Sequence, residues 1–344
     1  MSCYIKGCGA ALPERVVTNE ELGPRLGVAP EWIEANSGIR ERRWAAADRS
    51  CSDLAQLAVR DALLNAGLSA EQIDYFVGCT LSPDYQVPGI APIVQRKVEG
   101  CRQVPAVDIR VGCAAILYSL QLARSLIESR AAGAVACFGA EAQSKGLDLD
   151  RRSAEVSMLF GDGAGAIIVT SESLLRNDSQ APVLRIDDVL IATDGNFAEE
   201  LIVRSPGTAN GARWFDSEQF EKRLHTGSMQ GRSVILHAVR KLADAAHVIT
   251  KRNETSVEEI DLIVPHQANA NLLRSLANRL AVAPERVIMN VDHYGNTSGA
   301  SAFLALWQAS REGRLRPGAR VLILAFGAGF TWGAALCRVC RPGS

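Results

Sequence analysis

The spacing of apolar and polar positions divides the chain into short strand-like runs and longer helix-like ones. "AGAIIVT" (164–170) and "RVLILAF" (320–326) are short, apolar and rich in β-branched residues, which predicts buried strands. "ILYSLQLARSLIES" (116–129) and "SAFLALWQASREG" (301–313) place apolar residues three and four apart, which predicts helices. A further amphipathic helix is predicted from about Met229 to residue 249. Alternation of the two element types implies an α/β architecture.

The pattern also repeats. "AEQIDYFVGCT" (70–80) resembles "VEEIDLIVPHQ" (257–267), with Ile73 and Ile260 187 residues apart. "VDIRVGCAAILYSLQLA" (107–123) lines up with "MNVDHYGNTSGASAFLALW" (289–307), setting Gly112–Cys113 opposite Gly295–Asn296 at an offset of 183. "VACFGAE" (135–141) matches "ILAFGAG" (323–329), with Phe138 and Phe326 188 apart. Each half then reads as strand, helix, strand, helix, strand, and two copies suggest a pseudo-twofold pair rather than a solenoid. We place the halves at 1–172 and 173–344. The polar, Gly-containing stretch 193–227 reads as a cap-like connection within the second half. Equivalent strand ends would meet at one place and bring Cys113, His266 and Asn296 together.

Composition narrows the function. With 344 residues, 47% of them hydrophobic, the chain can bury two cores. A net charge of −1 without Lys/Arg blocks gives no footprint for nucleic acid or a membrane surface. The first residues lack a signal-peptide pattern and no span of membrane-crossing length appears, so a cytoplasmic protein is expected. Nine cysteines in mostly apolar surroundings suit reduced thiols, and Cys337/Cys340, although spaced as CxxC, has no second pair to complete a zinc site.

Cys113 follows a strand and opens an Ala-rich helix, where unpaired N–H groups and the helix dipole are expected to lower a thiol's pKa. Taken by itself it reads as a buried core thiol, and it is the company of His266 and Asn296 that makes it a candidate nucleophile. His266 ends the run "IDLIV" after Pro265, where a strand end delivers a side chain into a crevice. His237 and His247 fall in the amphipathic helix and His225 in the connecting stretch, while His293 competes for a role because it lies three residues before Asn296. Asn296 itself could be a helix cap. "FGDGAGA" (160–166) runs into a β-type segment, so it does not make a dinucleotide site; its glycines suit close backbone approach. Backbone N–H groups of "FGAGFTWG" (326–333) could face an oxyanion.

Taken in order, "GCA" with Cys113, "PHQAN" with His266, "GNTS" with Asn296, "FGDGAGA" and "FGAGFTWGAAL" resemble β-ketoacyl-ACP synthase III, of the thiolase superfamily, over nearly the whole chain. "WIEANSGI", "GIRER" and "MQGRSVILHAV" agree as well. The resemblance implies a five-layered α-β-α-β-α thiolase-like fold from two similar halves, a homodimer, and no metal or bound organic cofactor. It implies that Cys113 takes an acyl group from acyl-CoA or an acyl carrier protein. His266 and Asn296 then bind the carbonyl of a malonyl thioester, possibly itself carried on an acyl carrier protein, as carbon dioxide leaves, and the enolate attacks the acyl-Cys. The backbone N–H groups of Cys113 and Ala328 would form the oxyanion hole. Trp32, Asn36, Arg232, Asn269, Val87 and Ile116 are the positions expected to meet substrate.

Departures from the family pattern are Ala115 and Ile116 after the Cys, and Ala328 for Gly. Asn36 and Asn271 replace Arg, with Arg274 and Arg279 nearby, and Val87 stands where a larger residue is usual. They point away from an acetyl-CoA initiator towards a longer or unusual acyl group in specialised metabolism. Two other uses of the residues stay open: an acyltransferase acting on a hydroxyl or amine without forming a carbon–carbon bond, and a non-catalytic partner subunit, against which the complete Cys, His and Asn set argues.

Overall fold

The computed structural model describes residues 2–175 and 182–340. Nine strands form the main sheet: β1 (Cys3–Ala11), β2 (Tyr75–Cys79), β3 (Ala106–Asp108), β4 (Ala134–Glu141), β5 (Gly163–Ser171), β6 (Val183–Thr193), β7 (Leu262–Pro265), β8 (Arg320–Gly327) and β9 (Thr331–Cys340). Their spatial order is β7-β8-β9-β6-β1-β5-β4-β2-β3. Read outward from the β1/β6 pair, the first half runs β1-β5-β4-β2-β3 and the second β6-β9-β8-β7. The matched pairings agree in sense: β2/β4 and β7/β8 are parallel, whereas β4/β5, β8/β9, β1/β5 and β6/β9 are antiparallel. Even the fifth strand has a remnant in the second half, a parallel bridge from Ile263 to Val287.

Side-chain alternation explains why these strands read as continuous apolar runs. Along β4, Val135 and Cys137 enter one core, while Ala134, Ala136, Phe138 and Ala140 enter another with the Cys51–Ala66 helix. Along β8, Val321, Ile323 and Ala325 share the first of these cores, and Leu322, Leu324 and Phe326 pack with the helices Gly231–Arg252 and Ala270–Arg279. The shared core contains the helices Ala115–Glu128 and Ser301–Arg311. The result is five layers, with two central helices between the two halves of the sheet. Gly165 permits one of the close approaches, since a Cβ there would sit 2.5 Å from Cβ of Phe303.

The repeat is real in topology, but one part of its sequence alignment is corrected. Cys113 lies in the 3-10 turn Gly112–Ala114, and the corresponding turn before the second central helix is Ser298–Ala300. Gly112 and Ser298 open these turns with φ of 52° and 44°. Gly299, not Asn296, is therefore the counterpart of Cys113, at an offset of 186 (298 minus 112). Asn296 precedes the turn.

The stretch 193–227 contains the strand Leu201–Val203, paired with Gly227–Met229, and a short helix, Ser217–Glu221. Asp194 and Phe330 exchange backbone hydrogen bonds of 2.8 and 2.9 Å. Arg223 ties the same stretch to Asp148 (2.5 Å), Asp150 and Ser153. The following helix starts at Gly231. All nine cysteines are free; Cys337 is buried and Cys340 only partly, on opposite faces of β9, so the CxxC spacing does not gather two ligands. Among the described residues, no helix is long and apolar enough to cross a membrane.

Candidate active site

The turn Gly112–Ala114 presents Cys113 between β3 and a buried helix start. Its Sγ lies 3.9 Å from Oγ of Ser298. The glycine-rich loop after β8 presses on the same residue: a Cβ at Gly327 would stand 2.8 Å from Cβ of Cys113 and 3.2 Å from its backbone nitrogen. Ala328 follows in that loop, its carbonyl accepting a 3.0 Å bond from Oγ1 of Thr331. Enclosure of the thiol pushes Cys113 up to about 12, with the Glu141 carboxylate adding to the rise and the Ser298 hydroxyl opposing it. This reverses the lowering expected from a helix start, because desolvation of the charged form outweighs the turn's N–H groups.

His266 directly follows β7, its backbone N–H bonded to the Leu324 carbonyl at 2.7 Å, and is buried. Its Nδ1 is hydrogen-bonded to Oγ of Ser301, on the first turn of the second central helix. Ser301 Oγ also accepts from the Gln267 N–H at 3.1 Å. With Gln267 donating to it, the serine hydroxyl still has its own hydrogen to give to Nδ1, and in that tautomer the ring proton sits on Nε2. Burial lowers the His266 pKa to about 3, so the ring is neutral at physiological pH.

Asn296 is held by a parallel bridge to Phe160: its N–H donates to the Leu159 carbonyl (2.8 Å) and its carbonyl accepts from Gly161 (3.1 Å). The start of "FGDGAGA" thus fixes this residue. Its Oδ1 accepts from the Ser298 N–H at 2.8 Å, and its Nδ2 has no partner among the described residues. Asn296 is not a helix cap; the following helix is entered through Ala300. The segment 296–301 consequently touches all three residues, through Asn296 itself, Ser298 beside Cys113 and Ser301 beside His266. His293 is outside the group, half-exposed beside Asp292, Glu41 and Arg40.

Comparison with known proteins decides the class. Residues 107–187 match the family model for 3-oxoacyl-[acyl-carrier-protein] synthase III, and 250–339 its C-terminal model. The β-ketoacyl-[acyl-carrier-protein] synthase III of Nitratidesulfovibrio vulgaris (strain DP4) is 39% identical over 334 residues, 97% of this chain and 98% of its own. The 3-oxoacyl-[acyl-carrier-protein] synthase III of Aquifex aeolicus superposes with a TM-score of 0.84 at 34% identity, covering 98% and 99% of the two chains. The priming β-ketosynthase of the R1128 polyketide pathway gives 0.83 at 28%, covering 99% and 97%. The chain belongs to the β-ketoacyl-ACP synthase III family. It is a thiolase-fold acyltransferase whose chemistry is acyl transfer and Claisen condensation.

The outer residues of this synthase are spread more widely. Trp32 and Asn36 share the helix Pro30–Ser37, with Asn36 Nδ2 donating to the Trp32 carbonyl at 2.7 Å. The Arg151 guanidinium lies 5.6 Å from the Trp32 ring centre, a cation–aromatic contact that the sequence did not flag. Asn271 donates to Ala35 (3.1 Å) and accepts from Arg274 (2.9 Å) beside an open pocket of about 480 Å³ shared with Glu34, Arg40 and Asp292. Asn269 is the cap of the Ala270–Arg279 helix, accepting from the Leu272 N–H at 2.7 Å. Arg232 is exposed near the start of the Gly231–Arg252 helix. Val87 is 85% exposed, whereas Ile116 is fully buried in the central layer, so these two do not join the group around Trp32.

Beside Ser301 and Arg151, two residues near Cys113 carry no mark in the sequence. Ser298 is one, hidden in the motif "GNTS". Glu141 is the other, a fully buried carboxylate at the end of β4. It accepts from Ser82 Oγ (2.6 Å), Gln143 Nε2 (3.1 Å), Leu81 N–H (3.2 Å), Gly299 N–H (3.2 Å) and Thr80 Oγ1 (3.4 Å). The available signal was a single acid closing an eight-residue buried run.

Proposed function

We propose that Cys113 is the acyl-carrying nucleophile of this synthase and that His266 and Asn296 bind the malonyl thioester carbonyl. In the first half-reaction the Cys113 sulfur attacks the carbonyl of an acyl-CoA or acyl-carrier-protein thioester. The new S–C bond forms, the donor's C–S bond breaks, and the donor leaves as its thiol. In the second, the malonyl thioester loses carbon dioxide to give an enolate, which attacks the acyl-Cys113 carbonyl. A carbon–carbon bond forms and the Cys113 sulfur leaves.

The observation that carries this reading is the pair of donors left without protein partners. Nδ2 of Asn296 and Nε2 of His266, which donates in the tautomer where Nδ1 accepts from Ser301, have none among the described residues, while Oδ1 and Nδ1 are hydrogen-bonded to Ser298 and Ser301. Two fixed donors suit an oxygen that gains negative charge during decarboxylation. A neutral His266 donates without adding a charge. The backbone N–H groups of Cys113 and Ala328 serve the tetrahedral intermediates, supported by the contact of the Gly327 loop with Cys113.

Trp32 with Arg151, and Asn36, Asn269 and Arg232, are the residues we assign to the thioester carrier, with Ile116 and Val87 limiting the acyl chain. The exposed Val87 loop is assigned to the contact between subunits of a cytoplasmic homodimer. Intact-protein mass spectrometry after incubation with a panel of acyl-CoAs tests the nucleophile. One acyl mass should appear on the wild type and none on Cys113→Ala; acylation of Cys113→Ala would refute the assignment.

A further inference from the structure

The largest side chain buried outright among the described residues is a cation that the chemistry above does not use. Arg42 is 0% exposed, in the middle of the short strand Glu41–Arg43. Its Nη1 donates to Asn19 Oδ1 at 2.8 Å and to the Val17 carbonyl at 3.4 Å, and its Nη2 to the Met158 carbonyl at 2.7 Å. Among the described residues, then, its hydrogen bonds all go to neutral oxygens. Burial lowers the guanidinium to about 10, with neighbouring Glu41 opposing the fall, so the group stays charged at neutral pH. Desolvating a cation without a hydrogen-bonded carboxylate costs stability, so packing alone does not account for it.

We propose that Arg42 is a positioning residue for the decarboxylation step and acts through Asn296. The tethered Met158 carbonyl stands directly before the segment that registers Asn296. The Leu159 carbonyl accepts the Asn296 N–H at 2.8 Å, and the Gly161 N–H donates to the Asn296 carbonyl at 3.1 Å. The arginine's stem touches both segments at once, since a Cβ added at Gly161 or at Gly295 would stand 3.1 Å from Cβ of Arg42. The inference rests on Asn296 binding the malonyl thioester.

The neighbours of Arg42 tighten the same clamp. The Arg43 carbonyl accepts from the Asp162 N–H at 2.7 Å, and the Asp162 carboxylate accepts from the Ala45 N–H at 2.8 Å. On the other side the Arg40 N–H donates to the Asp292 carbonyl at 3.0 Å. Residues 40–45 therefore hold the chain at 158–162 and at 292, with Asn296 registered against the first of these. The Ser298 N–H occupies Oδ1 of Asn296, so the placement of its backbone decides where the unpartnered Nδ2 points. Such a donor acts only at hydrogen-bond reach of the oxygen that gains charge, and a misplacement of about 1 Å can cost on the order of 100-fold. Loss of one tether two residues before the registered segment is expected to cost less than that. The contacts of Cys113, with Ser298 Oγ and the Gly327 loop, include no group bonded to Arg42, so acyl loading should stand apart.

The test is a double-mutant cycle on the full chain: wild type, Arg42→Met, Asn296→Ala and the double variant, each supplied with an acyl-CoA and a malonyl thioester. Arg42→Met keeps an apolar stem and removes the donors. Acyl loading is followed by intact mass and carbon dioxide release separately, with urea denaturation showing that each variant is folded at the assay temperature. Release should fall roughly tenfold in Arg42→Met while loading keeps its wild-type rate. In the Asn296→Ala background the same substitution should lower release no further, because the residue through which Arg42 acts is gone. Arg42→Lys, which keeps one donor, should recover part of the loss. Release at the wild-type rate in Arg42→Met, an equal fall in loading and release, or the same fall in both backgrounds would overturn the positioning role; the last two are what a purely structural arginine gives. If Arg42→Met fails to fold, Arg42→Lys takes its place in the cycle with an expected loss of roughly threefold, judged by the same outcomes. Release at the wild-type rate from Asn296→Ala alone would instead overturn the assignment of Asn296 to the malonyl thioester, and this inference with it.

Discussion

The turns Gly112–Ala114 and Ser298–Ala300 occupy equivalent places in the two halves, each opened by a residue with positive φ and each leading into a central helix. The first turn carries a thiol at its second position, and the second carries glycine there. A side chain at Gly299 would crowd Glu141, 3.1 Å from Oε1, and would touch the Cys79 sulfur at 3.6 Å. The difference teaches how a duplicated framework divides its work. One copy presents the reactive atom, and the other adds bonds from Ser298 to Asn296, from Gly299 to Glu141 and between Ser301 and His266.

Changes in the second turn's neighbourhood should therefore disturb chemistry based in the first. Among residues that support the site from behind, the largest effect is expected for Ser301→Ala, which removes the hydroxyl hydrogen-bonded to the His266 ring. Condensation turnover should drop roughly 10- to 100-fold with Cys113 acylation retained, as steady-state kinetics and intact mass would show. An unchanged turnover would mean that the serine does not set the imidazole's orientation. Next in size, Gly299→Ala should cost about 1–3 kcal/mol of stability by overpacking beside Glu141, measured by urea denaturation.

A smaller effect concerns pH. Because His266 is depressed to about 3 in the folded protein, it contributes stability that is present above pH 6.5 and is lost as pH falls towards 3. Unfolding free energies measured across that window should decline more steeply in the wild type than in His266→Asn. The smallest change lies outside the site. Arg223→Ala cuts the links from the 193–227 stretch to Asp148 and Asp150, partly exposed pairs worth about 1 kcal/mol or less together. Limited proteolysis in that stretch should speed up while the unfolding midpoint barely moves.

The comparison of the two turns also shows where sequence reading succeeds and fails. β4 and β8 are visible as apolar runs because both faces of each are covered, and the central helices are visible from their spacing. The sequence pairs Asn296 with Cys113 because Gly295–Asn296 imitates Gly112–Cys113. The true counterpart begins at Ser298, a non-glycine residue with φ of 44°, which carries no mark of its backbone conformation in the sequence. A helix start can be recognised locally and predicts a lowered Cys113 pKa, whereas the enclosure that opposes ionisation comes from β8, the 296–301 segment and β4 together. Glu141 was missed for a related reason. Its meaning depends on Ser82 and Gly299, 59 and 158 residues away.

The most direct test of the division between the two halves is to follow both half-reactions in Asn296→Ala, supplied with an acyl-CoA and a malonyl thioester. Cys113 should still gain its acyl mass while carbon dioxide release and product formation fall by roughly 100- to 1,000-fold, the usual cost of losing one oxyanion donor. Carbon dioxide release at the wild-type rate from that variant would contradict the assignment of Asn296 to the malonyl thioester.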